Sequence, residues 1–245
     1  MHRKARRGRR RAPKRRPTAV KRSPMAVMAG ALGELMLTGG VLVLLFVVYT
    51  LWGTGIQTAA AQNDLRNQFE LQLDEVDLDT DEDEPQAAYE GLELGDAYGI
   101  LRIPRFGENW EKIIVQGVED EDLKNGPGHY LDSADPGELG NFAVAGHRSG
   151  HGEPFARFPE LQEGDIIEVE TATGIYQYQL YDAPDGDSDG NKIEIQDSWV
   201  ADPVPGEPSS AEPSESLLTL TTCWPRWGSS HRMYATGILI SSEER

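Results

Sequence analysis

The chain has 245 residues, 38% of them hydrophobic, with 41 acids against 23 basic residues and a formal net charge of −18 at pH 7. A single cysteine, Cys223, excludes an intramolecular disulfide, so a folded domain must rest on its apolar core. No nucleic-acid partner is expected, because membrane orientation is enough to explain the basic residues clustered at the N-terminus.

Charge is segregated along the chain. Residues 1–24 hold twelve Lys and Arg and no acid. Leu35 to Ile56 is then an unbroken run of 22 residues without a charge, rich in Leu and Val. A bilayer core requires about 20 apolar residues, so 35–56 is predicted to be a transmembrane helix, with 1–34 as a basic tail and the start of the anchor. Basic residues stay on the cytoplasmic side, which puts the N-terminus inside and everything after Ile56 outside. The small residues Ala59 and Ala61 leave a cleaved signal peptide as the rival reading.

Residues 57–91 are acidic and poor in large apolar side chains, with the block Asp81-Glu82-Asp83-Glu84 in their C-terminal third. Mutually repelling charges predict an extended stalk, with a short helix at most over Leu65, Phe69 and Leu73.

From 92 to 242 the composition turns to short β-like runs separated by Gly, Pro, Asp and Asn. Eight runs stand out: 98–104, 112–116, 141–145, 165–170, 174–181, 193–200, 217–222 and 232–240. In 174–181, Tyr176, Tyr178 and Leu180 alternate with Gln177 and Gln179, the period of a strand with one buried face. A helix is predicted around Glu153–Leu161. Between Val200 and Leu217, Pro203, Pro205, Pro208 and Pro213 forbid a central strand and mark a long loop. Asp185, Asp187, Asp189 and Gly190 open like a calcium loop, but Gln196 stands where the closing Glu belongs, so an acidic hairpin turn is expected. The fold class is all-β, a sandwich or barrel with one or two short helices.

Cys223 ends the run Thr219-Leu220-Thr221-Thr222-Cys223, and a cysteine nucleophile needs a base and a proton donor. His147, His151, His129 and His231 are the candidates beyond the membrane. His147 ends the apolar run 141–146, where Gly146 permits a sharp turn. His231 and Arg232 are adjacent on one strand and must face opposite ways. Arg232 offers a permanent positive charge for an oxyanion. Taken pairwise, these residues leave a buried structural cysteine as open as a catalytic one.

Taken together they resemble a known family. Gly146-His147-Arg148, Thr219-Leu220-Thr221-Thr222-Cys223 and Arg232, in that order, are similar to the signature of the sortases. The resemblance extends over Tyr98-Gly99-Ile100-Leu101-Arg102-Ile103-Pro104, Gly126-Pro127-Gly128-His129-Tyr130, Gly140-Asn141-Phe142 and Pro203-Val204-Pro205-Gly206, and is strongest to class E sortases of high-GC Gram-positive bacteria. It implies a closed eight-stranded β-barrel. It further implies that Cys223 attacks the Thr-Gly bond of an LPXTG-type sorting signal, LAXTG in class E, to form a thioacyl enzyme. His147 then acts as acid and base and Arg232 stabilises the oxyanion. The partners implied are surface proteins bearing the signal and a peptidoglycan-precursor amine as acceptor, with a monomeric enzyme and no metal or organic cofactor. Thr221, Thr222, Tyr130 and Trp224 are the candidate substrate contacts. Ser149-Gly150-His151 and Trp224 depart from the family pattern beside the site. A secreted cysteine peptidase that mainly hydrolyses and a non-catalytic surface β-domain are the alternatives; the first usually carries its cysteine at a helix N-terminus rather than in a β run, and the second leaves the order and spacing of His147, Cys223 and Arg232 unexplained.

Overall fold

The computed structural model describes residues 23–79, 89, 91–188, 190–208 and 210–245. The basic tail over 1–22, the acid block at 81–84 and Asp189 lie outside them. The chain divides into two compact units at Val47/Val48.

The first unit is built on helix α1, Pro24–Val48, none of whose residues is buried. It is long and apolar enough to cross a membrane, with mean hydropathy 2.3 over its best window. Its bounds differ from the predicted 35–56. Pro24 sits at the first helical position, where its missing N–H costs nothing, and the α-helix gives way at Tyr49–Gly53 to a π-helical turn.

The second unit is a barrel with a helix on its outer wall. The strands are β1 (Ala97–Arg102), β2 (Glu111–Gln116), β3 (Gly128–His129), β4 (Gly140–Gly146), β5 (Ile166–Glu170), β6 (Gly174–Asp182), β7 (Lys192–Glu194), β8 (Ser216–Trp224) and β9 (His231–Glu244). They hydrogen-bond in the order β6-β5-β1-β2-β3-β4-β8-β9, and β6 pairs back onto β9, closing an eight-stranded ring to which β7 adds along β9. The interior is packed by Tyr98, Leu101, Ile114, Phe142, Val144, Tyr178, Leu218, Leu220, Met233 and their neighbours. Along β6 the expected alternation holds, Tyr176, Tyr178 and Leu180 being buried.

Three expectations are corrected. Residues 193–200 are not one strand: pairing stops at Glu194, and a 3₁₀ turn occupies Trp199–Ala201. The ring's eighth strand is instead β3, a two-residue bridge in a segment that reads as a Gly-Pro turn. Glu153–Leu161 is not an α-helix but a series of turns ending in a 3₁₀ turn at Phe158–Glu160, where Pro159 fits the first turn. The regular α-helix of the barrel connections is α3, Asp120–Leu123, opened by a capping box between Glu119 and Asp122.

The third correction is larger. Residues 54–79 form helix α2 rather than an extended stalk. Leu65 and Phe69 bury against Ala97, Ile100, Ile113 and Val115, the outer faces of β1 and β2. Removing two such side chains from water contributes roughly 1.5–3 kcal/mol each. It also explains why Ile113-Ile114-Val115 is apolar throughout: Ile114 faces the interior while its neighbours face α2. Gln62 fixes the register, accepting from the Ile113 N–H at 2.8 Å and donating to the Asn125 carbonyl at 2.8 Å.

Candidate active site

The site lies where β4, β8 and β9 end together. Strands β4 and β8 run parallel, with Val144 opposite Leu220 and Gly146 opposite Thr222 as the last pair. His147 therefore leaves β4 at the level at which Cys223 follows Thr222. On the other side β8 and β9 are antiparallel, and Cys223 is the Cα partner of Arg232. Antiparallel partners present their side chains on the same face. Leu218, Leu220 and Met233 point into the barrel, so alternation places Cys223, Thr221 and Arg232 on the outer face of the wall.

Gly146 is required by packing rather than by a special turn. A Cβ there would lie 2.6 Å from the Phe155 ring. Phe155 is fully buried, and its N–H donates to the His147 carbonyl at 3.0 Å, so the segment after β4 folds back over its own end.

On the outer face, Tyr130 joins the constellation. Its hydroxyl is 3.2 Å from Thr221 Oγ1, and Arg232 Nη1 donates to it at 3.4 Å. Thr222 and Trp224 face the other way by alternation. Thr222 Oγ1 donates to the Gly146 carbonyl at 2.7 Å, bracing β8 against β4. The Trp224 indole N–H donates to the Asp187 carbonyl at 2.8 Å, and its ring meets His231 edge-on. Of the four candidate contacts, Tyr130 and Thr221 share the face of Cys223, whereas Thr222 and Trp224 do not. His231 likewise faces away from Arg232.

Cys223 and His147 are both partly buried. Burial pushes the Cys223 thiol above its ordinary value; the Arg232 charge opposes that shift and Asp120 adds to it. Burial, and next the imidazole of His151, hold His147 below its ordinary value, against the pull of Asp120. The two rings lie 5.0 Å apart. Both shifts favour neutral thiol and neutral imidazole over the ion pair. His129 is excluded from this chemistry. It is 2% exposed, packed in one aromatic cluster with Tyr98 and Phe142, and bonded through its ring nitrogens to Gln116 and Ser133.

A cysteine, a histidine and an arginine thus come from the ends of three neighbouring strands of a closed barrel. A model of the sortase domain matches residues 101–240. The chain belongs to the sortase family. Over 228 residues it is 31% identical to sortase SrtE1 of Streptomyces coelicolor, an overlap covering 89% of this chain and 59% of that relative, so it spans less than two thirds of that protein's length. Sortase SrtE2 of the same organism is 30% identical over 219 residues, covering 87% of this chain and 82% of the relative. The structure of sortase E from Streptomyces avermitilis superposes with a TM-score of 0.52 at 37% identity, covering 62% of this chain and 93% of that one. These similarities make it a class E-like sortase.

Other contacts made by these strands and loops were not singled out by spacing. Asn141 donates from Nδ2 to the Val200 and Asp202 carbonyls at 2.9 and 3.0 Å, anchoring the start of the proline-rich loop to β4. Asp187, read as part of a calcium-like turn, is ion-paired with Arg148 instead. Among the described residues no group of three or more His, Cys, Asp or Glu is arranged to hold a metal ion. No signal in the sequence links Arg148 to Asp187, because 39 residues separate them.

Proposed function

We propose that this sortase is a membrane-anchored cysteine transpeptidase acting on an LPXTG-type signal, LAXTG by its class E likeness. The observation that carries the reading is the register of three strands, which sets Cys223 opposite Arg232 and at the level of His147. In the proposed reaction the Cys223 thiolate attacks the threonine carbonyl carbon. The C–N bond to glycine breaks as the His147 imidazolium gives its proton to the leaving amine. Arg232 stabilises the tetrahedral oxyanion, and Tyr130, bonded to both Arg232 and Thr221, holds the guanidinium toward the groove. An incoming amine, deprotonated by neutral His147, then attacks the thioester and restores the thiol.

The resting pair is neutral thiol and neutral imidazole, so the reactive ion pair is a minority form drawn off as substrate binds. This follows from burial acting on both groups in opposite directions. A thiol held mostly protonated oxidises more slowly than a thiolate, which suits a free cysteine outside the cell.

For location, α1 serves as a single-pass anchor with the basic tail in the cytoplasm and the barrel outside, on the strength of its length, its hydropathy and the one-sided basic charge. The partners are signal-bearing surface proteins and a cell-wall precursor amine.

Incubating the protein with an LAXTG peptide and recording its intact mass tests the chemistry. An adduct equal to the acyl fragment is expected on the wild type and not on Cys223→Ala. Absence of an adduct with any LAXTG or LPXTG peptide would sink the reading.

A further inference from the structure

Arg148, the residue after His147, is only 3% exposed. A guanidinium does not deprotonate, so it is tolerated in the interior only where partners replace its water. Nη2 donates to Asp187 Oδ1 at 2.5 Å, and Nη1 approaches the Met233 sulfur at 3.6 Å. Nε has no partner among the described residues. Met233 in turn follows Arg232, and the Asp187 carbonyl accepts the indole N–H of Trp224, the residue after Cys223. Lys192 closes the arrangement from the outside. Its ammonium lies 4.2 Å from the centre of the Trp224 ring and donates to the Ser188 carbonyl.

The residues one step beyond His147, Cys223 and Arg232 therefore meet behind the wall on which those three stand. The ladder alone does not hold His147 in place, because β4 and β8 stop pairing at Gly146 and Thr222. Beyond that point the chain bearing the histidine is tied to β9 and to the β6–β7 loop by the buried arginine.

We propose that the Arg148–Asp187 ion pair is a positioning device for the transfer reaction: it fixes His147 against Cys223 and Arg232 from the far side of the barrel wall without touching substrate. This rests on the catalytic roles proposed above for those three residues. The pair is placed to act through geometry. Arg148 follows His147 and touches the Met233 side chain, which follows Arg232, and the Asp187 carbonyl takes the indole N–H of Trp224, which follows Cys223. A pair that served only to fill the interior would have no reason to converge on all three.

Asp187→Asn tests it, since it removes the carboxylate charge and keeps the backbone carbonyl that Trp224 uses. The full-length protein in detergent is used, with two readouts. Transfer of an LAXTG peptide to an amine is expected to lose about tenfold or more in kcat while KM for the peptide stays within about twofold. Alkylation of Cys223 by iodoacetamide near neutral pH, which needs no peptide, is expected to slow by roughly threefold as Arg232 loosens from the thiol. Asp187→Glu should recover most of both losses. Unchanged kcat and alkylation with a lowered melting temperature would reduce the pair to a structural one and overturn the inference, as would a rise in KM alone. A wild type that alkylates normally but transfers no peptide counts against the transpeptidase reading, and the alkylation comparison still decides the positioning role. If Asp187→Asn does not fold, the double variant Arg148→Met/Asp187→Asn leaves no unpaired buried charge and should show the same two losses; wild-type rates in it would overturn the proposal.

Discussion

Cys223 and Arg232 are Cα partners across β8 and β9, so the sheet itself sets their backbones opposite each other and their side chains on one face. Flexible loops do not set this relationship; the antiparallel register continues along both strands from Leu217 opposite Ile238 to Trp224 opposite His231. Replacing Arg232 with Ala should lower kcat for peptide transfer by about 10² to 10³, the usual consequence of deleting an oxyanion donor, with little change in melting temperature because the residue is partly exposed. Lys at 232 should recover only part of the loss, since a point charge cannot reproduce the planar donor fork that reaches Tyr130. Steady-state kinetics on the two variants check this.

The pH dependence follows from opposed shifts. The Cys223 thiol lies above its ordinary value and His147 below its own, so the transfer rate should be bell-shaped, falling on the acid side as thiolate is lost and on the alkaline side as imidazolium is lost. Alkylation of Cys223 should reach half its maximum at a higher pH than a free cysteine does. Removing His151, whose charge opposes a second proton nearby, should raise the pH at which His147 titrates. An NMR titration of the His147 ring in His151→Gln is expected to show an upward displacement; a downward one would mean the two rings do not interact through charge.

Helix α2 should behave as part of the folded domain. Phe69 is fully buried against β1 and β2, and its truncation to Ala is expected to cost about 3–5 kcal/mol in a denaturant titration. Leu71, which is exposed on the same helix, should tolerate Ala within about 0.5 kcal/mol.

His129 supplies an acid-sensitive element remote from the chemistry. Burial lowers it from 6.5 to about 4, so the unfolded chain takes up this proton first as the pH falls. The stability that neutral His129 contributes is complete above about pH 6.5 and declines by about 1.4 kcal/mol per unit down to about pH 4, some 3 kcal/mol in all. Denaturant midpoints at pH 7 and pH 5 should therefore differ less in His129→Gln than in the wild type.

Much of the barrel was legible because its strands obey simple patterns. Tyr176, Tyr178 and Leu180 alternate as one buried face requires, and the runs at 141–145 and 217–222 carry no charge, in keeping with their burial along the whole of both segments. What escaped was structure that depends on distant partners. Leu65 and Phe69 show helical spacing, but the acids that follow suggested a solvated spacer, and only the apolar outer faces of Ile113 and Val115 give the helix somewhere to dock. β3 is too short for any period. Ile193 and Ile195 look like the start of a strand, yet β9 offers pairing only as far as His231. For the site, order and identity pointed to His147, Cys223 and Arg232, while the parallel pairing of β4 with β8, 76 residues apart, is what gives them a common level. The same pairing shows why Thr222, adjacent to Cys223, turns its hydroxyl to Gly146 instead of toward the groove.

The most direct measurement is product analysis by mass spectrometry after mixing the full-length protein with an LAXTG peptide and a primary amine. The expected result is a peptide cut after threonine and joined to the amine, formed by the wild type and by neither Cys223→Ala nor His147→Ala. Free threonine-ended peptide whose yield is unaffected by the amine, or conjugate formed equally by Cys223→Ala, would contradict a cysteine transpeptidase.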